Sequence, residues 1–580
     1  MSEPNQSSWQ GDEHFGRNVI IICLVATAYY LSYFRYGLAQ IDEGVILDSA
    51  ERMMKGDRFG IELFMHYGLL RAWLLSKVFI FTGVNFPAER IFFIAMRLPG
   101  LVLLYAVGRR IIPQGWAVGV TMVAVFVPGH LFKSTLLILI MFQIWLVFRW
   151  WENPGRFWAF AIGFWGAFSI WSRVETMFVM IPVGGLALLI GLWQKSSAAK
   201  EWKRHIIYFL LGVPVGVACL LPIFPGMAYF FVWTMRFMML WYKSDIHFST
   251  PWPMPSNLFM GLDRAATFVF FWAGVLTYVI ALIDLLVKLK NSKGGALNYY
   301  RGMIALIGLS MFYNVFAQSN LGHLVQVCAP VYLLFGDFFS RALKVSHRLM
   351  VKILVSIGFG SLILFYLVYG VILTDSPGIG SFSLRKMCQA PINSRLGTVY
   401  FTEPTSSEIQ GVVDYLVEHT DPGDPVIGYP GCLIVQVMAG RPNATMVTFF
   451  LPGTALFLSP HLPAEIRKQT LDAKYIVYFE RSTHLEALRQ PKMRTINAPM
   501  GVYEVMAGNF TIEHRIGRYL ILRRGADKTG ATPVFLEGLE AYKYRQNELA
   551  LEKFKKALEM GGLPEIINPL LIEVGQRINN

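Results

Sequence analysis

Charge is what this 580-residue chain has least of: Asp, Glu, Lys and Arg make up 16% of it against 54% apolar residues, and the mean hydropathy is +0.45. So little charge excludes an ordinary soluble globule of this size and selects the membrane class. Cysteine is also scarce. The five, Cys23, Cys219, Cys328, Cys388 and Cys432, show no metal-ligand spacing, which excludes a cysteine-based zinc site; a disulfide between Cys388 and Cys432 is left open. A P-loop is missing, and no Gly-rich turn follows the strand-like runs of the C-terminal third, so nothing points to a nucleotide. Residues 1–17 are polar, and the span after them lacks a small-residue cleavage site, which reads as an uncleaved signal anchor.

What is present is a series of apolar runs. About 20 residues cross a bilayer, and runs of that kind fall near 18–37, 89–108, 114–131, 134–150, 156–172, 175–193, 205–224, 264–287, 301–317, 322–339 and 349–373. The net charge of +14 would suit nucleic acid, but much of the Lys and Arg lies in short links between these runs. Cationic links mark the cytoplasmic side, so no nucleic-acid partner is expected. Counted from a cytoplasmic N-terminus, the basic links at Gly108-Arg109-Arg110, 195–205, 288–293 and 341–348 all fall on that side. Residues 38–88, 225–263 and everything after 374 then lie outside the cytoplasm. His66, Arg71 and Lys77 interrupt the apolar run 64–82, so 43–56 and 64–82 read as helices lying in the interface; an ordinary span is the alternative for the second.

The expected architecture is a polytopic α-helical membrane domain over 1–374, an extracytoplasmic α/β domain over 375–530 and a helical tail over 531–580. Strand-like runs at 425–429, 474–479, 501–505 and 518–522 alternate with helical patterns at 408–420 and 464–471, which implies a small, partly parallel sheet. In the tail, Gly538, Ala541, Tyr542, Ala550, Phe554 and Ala557 resemble one tetratricopeptide helix pair, which packs on the α/β domain or takes a protein partner; a plain helical hairpin fits equally.

Asp42 and Glu43 stand at the outer end of the first span. An acidic pair costs several kcal/mol in hydrocarbon, so it belongs at the membrane edge. It is followed by Ala50-Glu51-Arg52-Met53-Met54-Lys55-Gly56-Asp57, by His66-Tyr67-Gly68-Leu69-Leu70, by Phe81-Thr82-Gly83 and by Arg90 through Arg97-Leu98-Pro99-Gly100 to Gly108-Arg109-Arg110. This order resembles the opening of the GT-C membrane glycosyltransferases, the class of the protein O-mannosyltransferases and the lipid A aminoarabinose transferase. The likeness spans roughly the first 110 residues. It recurs at Trp171-Ser172-Arg173 and at Gln318-Ser319-Asn320-Leu321-Gly322-His323-Leu324, and Gly440-Arg441-Pro442-Asn443 with Arg518 through Arg524 is similar to the tail domains of bacterial members. The chain departs from the pattern at His66-Tyr67-Gly68-Leu69, where members often carry Pro-Pro-Leu. The next outer loop, near 128–133, has no second acidic residue.

The resemblance implies transfer of a sugar from a polyprenyl-phosphate carrier to an acceptor hydroxyl (on lipid, protein or glycan), usually with inversion, at the outer face of a bacterial inner membrane. A hydroxyl is a poor nucleophile, so a carboxylate must take its proton as it attacks. Asp42 is the candidate, with Glu43 positioning it or the acceptor, or binding a divalent cation; helix capping is the alternative for the pair. The departing phosphate gains negative charge and asks for fixed cations. His66, Tyr67, Arg71, Arg90, Arg97, Lys133, Arg173, Gln318 and His323 are the candidate substrate contacts; for the cations, snorkelling to headgroups is the alternative. Trp233, Trp241, Tyr242 and Trp252 suit a sugar platform or an interfacial belt. A secondary transporter would show internal repeats and midplane charge, which this sequence does not. A non-catalytic scaffold remains the third reading.

Overall fold

The computed structural model describes residues 13–65, 68–127, 130–194, 201–224, 253–256, 262–290, 295–312, 321–345, 349–350, 383–448, 462–480, 502–525, 527–543 and 545–579, with single residues between 353 and 368. Its helices open with α1 (Glu13–Tyr33), α2 (Gln40–Lys55), α3 (Leu69–Thr82), α4 (Phe86–Gly108), α5 (Gln114–Phe126), α6 (Thr135–Glu152) and α7 (Arg156–Phe168). They continue with α8 (Val174–Gln194), α9 (Trp202–Ala218), α10 (Leu262–Lys290), α11 (Ala296–Met311), α12 (Leu321–Val327) and α13 (Ala329–Val345). The described residues form two compact units. One lies within Met1–Gly37, Pro87–Pro222 and Phe248–Cys388, the other within Leu38–Phe86, Ile223–His247 and Gln389–Asn580.

The first unit is a helix bundle. Five described segments are long and apolar enough to cross a membrane: His14–Tyr33, Phe86–Gly108, Leu131–Glu152, Thr176–Gln194 and Thr267–Lys288. The chain is a multi-pass membrane protein. Along α10 the large residues Leu276, Ile280, Ile283 and Val287 are exposed at helical spacing, an outward apolar stripe that hydrocarbon covers. Lipid tails give helices no hydrophobic reason to associate, so close packing must do it. Helices α7 and α9 meet through Gly163, Gly212 and Gly216, where an added Cβ would collide with the Phe209, Phe160 and Phe164 carbonyl oxygens respectively. One end of the bundle gathers the basic links. Arg110 pairs with Glu152 at 2.5 Å, and Tyr300 reaches the same carboxylate at 3.4 Å. Arg301 and Arg341 share Asp337 at 2.7 and 2.8 Å, Lys288 pairs with Asp284 at 2.6 Å, and the Trp150 indole donates to His205 at 3.4 Å.

The second unit joins residues 38–86 to the C-terminal third. Strands β1 (Ala390–Ser394) and β2 (Gly397–Phe401) form a hairpin. Strands β3 (Val426–Tyr429), β4 (Tyr475–Phe479), β5 (Phe510–Ile516) and β6 (Tyr519–Arg524) form a sheet ordered β3-β4-β6-β5, parallel between β3 and β4 and antiparallel elsewhere. Around it lie α14 (Thr405–His419), α15 (Leu433–Ala439), α16 (Leu462–Asp472) and α17 (Val502–Asn509). One strand expectation is corrected and one hairpin is new. The run 501–505 is not a strand: Val502 and Met506 are both buried, a spacing of four that a helix puts on one face, and α17 runs on to Asn509. The β1–β2 hairpin was masked by Pro391, which reads against a strand and is tolerated here in a two-stranded ribbon. Cys388 and Cys432 are free thiols, so the disulfide left open does not form.

The tail is α18 (Ala531–Lys543), α19 (Asn547–Glu559) and α20 (Pro564–Asn579). Gly538 lets the Phe554 ring close in, since a Cβ there would sit 2.7 Å from it, and Phe535 meets Phe554 at 5.4 Å between ring centroids. Helix α18 packs on α17 and β5, which covers the apolar face that one helix pair cannot bury alone.

Candidate active site

Helix α2 carries the acidic pair in its first turn, where the free N–H groups and the helix dipole favour negative charge. The N-cap residue is Ala39, which has no side chain to cap with. Glu43 does that work: its Oε2 accepts the Ala39 N–H at 3.0 Å, and Glu43 is buried. Asp42, one residue earlier, is half-buried. Of the two carboxylates, Asp42 is therefore the less enclosed.

The rest of α2 is buried without a break from Glu43 to Glu51. An interfacial helix would bury one stripe, whereas α2 is enclosed between α3 and α15. Helix α3 does show two faces. Leu69, Ala72, Leu75 and Phe79 are buried, while Ile80 and Phe81 stand out, Phe81 with 89% of its surface exposed. Arg71 lies on the buried face. It stands on the helix that packs against α2.

Enclosure has electrostatic consequences. Burial pushes the Asp48 carboxyl up to about 6, against the pull of Arg52 and a hydrogen bond with the Asn443 side chain. Burial also works to raise Glu51, but Arg395 and Lys55 outweigh it and hold that carboxyl below its ordinary range. Arg52 donates to the Thr445 carbonyl at 2.9 Å and to Asp57 at 2.7 Å. Sequence reasoning did not pick out Asp48, Glu51, Arg52 or Arg395 as parts of the site's framework. The available signal was the density of charge in 48–57, too high for a helix resting its apolar face on lipid.

In the helix bundle the other candidates separate by what they already hold. Arg90 donates to the Phe34 and Gly37 carbonyls at 2.8 and 2.9 Å, satisfying groups that the end of α1 leaves without helical partners. Arg97, seven residues on, donates to the Ala124 carbonyl at 3.3 Å and is buried. Arg173 is half-buried in the turn before α8, with its backbone capping that helix. Lys133 and His323 are brought together across 190 residues of sequence: Nζ and Nε2 lie 3.4 Å apart. Lys133 is nine-tenths buried and also stands 5.5 Å from the centre of the Phe132 ring. The ammonium donates in this contact and the imidazole Nε2 accepts, which leaves further ammonium N–H bonds for an anion such as a phosphate. His66, Tyr67, Gln318, Trp233, Trp241, Tyr242 and Trp252 lie outside the described residues.

A divalent cation would need several oxygen ligands converging on one point. Glu43 already accepts from Ala39, and no group of three His, Cys, Asp or Glu side chains suited to a metal occurs among the described residues. The described donor set does not fit a metal centre.

No family model matches this sequence, and no curated protein does. Solved structures similar to it include ArnT from Cupriavidus metallidurans in the apo state, at 13% identity over 87% of this chain and 97% of that one, with a TM-score of 0.49. The same protein bound to undecaprenyl phosphate matches at 14% identity over 88% and 98%, with a TM-score of 0.46. The Archaeoglobus fulgidus oligosaccharyltransferase in complex with Zn and sulfate matches at 10% identity over 94% and 83%, with a TM-score of 0.45.

Proposed function

We propose that this chain is a GT-C membrane glycosyltransferase that moves a sugar from a polyprenyl-phosphate-linked donor to an acceptor hydroxyl at the outer face of a bacterial inner membrane. The order of motifs through the first 110 residues supports the class. One geometric observation supports the chemistry: Asp42 is half-buried in the first turn of α2, while its buried neighbour Glu43 accepts the Ala39 N–H at the end of the same helix. Asp42 takes the acceptor proton as the hydroxyl oxygen attacks the anomeric carbon. The bond from that carbon to the phosphate oxygen breaks, the configuration inverts, and the carrier departs as its phosphate.

The departing phosphate is assigned to Lys133 and His323, which a 3.4 Å contact holds together, the ammonium supplying the charge. Arg71, Arg97, Arg173, His66, Tyr67 and Gln318 are further substrate contacts in this reading. Arg90 and Glu43 hold helix ends. Residues 389–579 and the segment 38–86 lie on the extracytoplasmic side.

Asp42→Asn tests the proposal. In membranes carrying the variant, mass spectrometry should find the donor sugar-lipid accumulated and turnover down about 10²–10⁴-fold, with the protein inserted as before. Unchanged donor and product pools would remove the enzymatic reading.

A further inference from the structure

The helix that carries Asp42 is fixed by residues about 350–400 positions further along the chain, and three levels of contact do it. At the first turn, Gly44 touches the backbone of α15: a Cβ there would lie 2.9 Å from the Ile434 nitrogen and 3.2 Å from its Cα. A glycine inside a helix costs about 1 kcal/mol relative to alanine, so its place here answers to the contact and not to the helix. Two turns on, Arg395 pairs with Glu51 at 2.5 Å and donates from Nε to the Val437 carbonyl of α15 at 2.9 Å. Gly440, just past α15, leaves the space that Arg395 occupies, since a Cβ there would stand 2.8 Å from the arginine side chain. At the next residue, Arg52 reaches the Thr445 carbonyl at 2.9 Å. The strand-like segment after α2 is bonded to the same region, the Phe64 N–H donating to Met446 at 2.7 Å.

We propose that the C-terminal α/β fold is the seat of the acid-bearing helix, and that Gly44, Glu51 and Arg395 are positioning residues for Asp42. The inference rests on Asp42 being the base. Proton removal by a carboxylate demands hydrogen-bond reach, and a displacement of about 1 Å can cost about 100-fold in rate. The contact at Gly44 leaves no slack two residues from Asp42. The Glu51–Arg395 pair sets how the helix is rotated and how far it is inserted on α15.

The test uses the full-length protein in its membranes, with lipid extracted from the parent cells as donor. Arg395→Ala, Glu51→Gln and the two combined should each lose about tenfold in rate, equally at limiting and at saturating lipid, with the double no worse than either single. Amide hydrogen exchange over residues 42–51 should quicken in all three while exchange in β4 and β6 stays put. Asp42→Asn is run beside them. If it is inactive while the seat variants keep the parent rate, the positioning role is wrong and the base assignment stands. Lost rate with unaltered exchange in α2 also overturns the positioning role. If Asp42→Asn keeps its rate, the base assignment falls and this inference falls with it.

Discussion

Two adjacent carboxylates with equal chemistry are buried to different degrees here, and the reason is local. Ala39 leaves the first turn of α2 without a side-chain cap, and Glu43 folds back to supply one. Replacing Glu43 by Gln keeps an acceptor for the Ala39 N–H but removes the charge facing the dipole. We expect a loss of about 0.5–2 kcal/mol in stability with most activity kept, read by thermal unfolding beside a rate measurement. Asp48 makes a sharper prediction. Its folded pKa of about 6 lies above the ordinary value of 3.8, so between those values the folded chain holds more proton than the unfolded one. Stability must therefore fall as pH rises through that window, and the cost stays in full above pH 6. Asp48→Asn should flatten this dependence and be more stable than the parent at pH 7, by on the order of 1–3 kcal/mol. Proteolysis of the second unit at pH 5 and pH 7 measures it; a parent whose susceptibility does not change between them would contradict the assignment.

At the scale of elements, patterns with a single cause could be read from sequence, and those with two causes could not. The strands at 425–429, 474–479 and 518–522 and the helices at 408–420 and 464–471 each had one apolar period and one partner face, and each is present within a residue or three. Helix α2 had an apolar pattern with charges set into it, which suggested a helix half in lipid. Its charges are buried because partners distant in sequence, Arg395 and Asn443 among them, meet them inside the second unit. The pairing of Lys133 with His323 was hidden for the same reason: only the fold shortens 190 residues to 3.4 Å. Glycine spacing was legible but went unused. Gly212 and Gly216 sit four apart on α9, and α7 lies directly on them. Gly212→Val should cost about 1–3 kcal/mol or more through overpacking, seen as a lower unfolding temperature in detergent. Gly575→Ala, where a Cβ meets nothing within 4 Å, should be neutral or slightly stabilising.

At the scale of the whole molecule, hydrogen bonds constrain how often the chain crosses the bilayer. Phe64 precedes α3 and donates to Met446; Phe86 follows α3 and donates to Leu396 at 2.9 Å. Both ends of α3 are thus tied to one domain, which supports the reading in which α3 does not cross. From α4 to α13, nine helices of at least 13 residues are described. The sequence places a further span at 349–373, largely outside the described residues, and ten crossings are expected from 89 to 373; an even number would return the chain to the side it left. At one end of the bundle Arg110 meets Glu152, and Asp337 meets Arg301 and Arg341, the grouping that an even count with basic links on one side predicts. With basic links facing the cytoplasm, residue 418 should lie outside and residue 203 inside. Cys219 is exposed and must first become Ser so that it does not react. In that background, Glu418→Cys should take a membrane-impermeant maleimide in intact spheroplasts, and Lys203→Cys only after they are opened. Labelling of both in intact spheroplasts would mean an even number of crossings between them, where the expected spans number five, and would undo this topology. Labelling of neither would put the acid-bearing helix in the cytoplasm, where the sugar carrier proposed here is not presented.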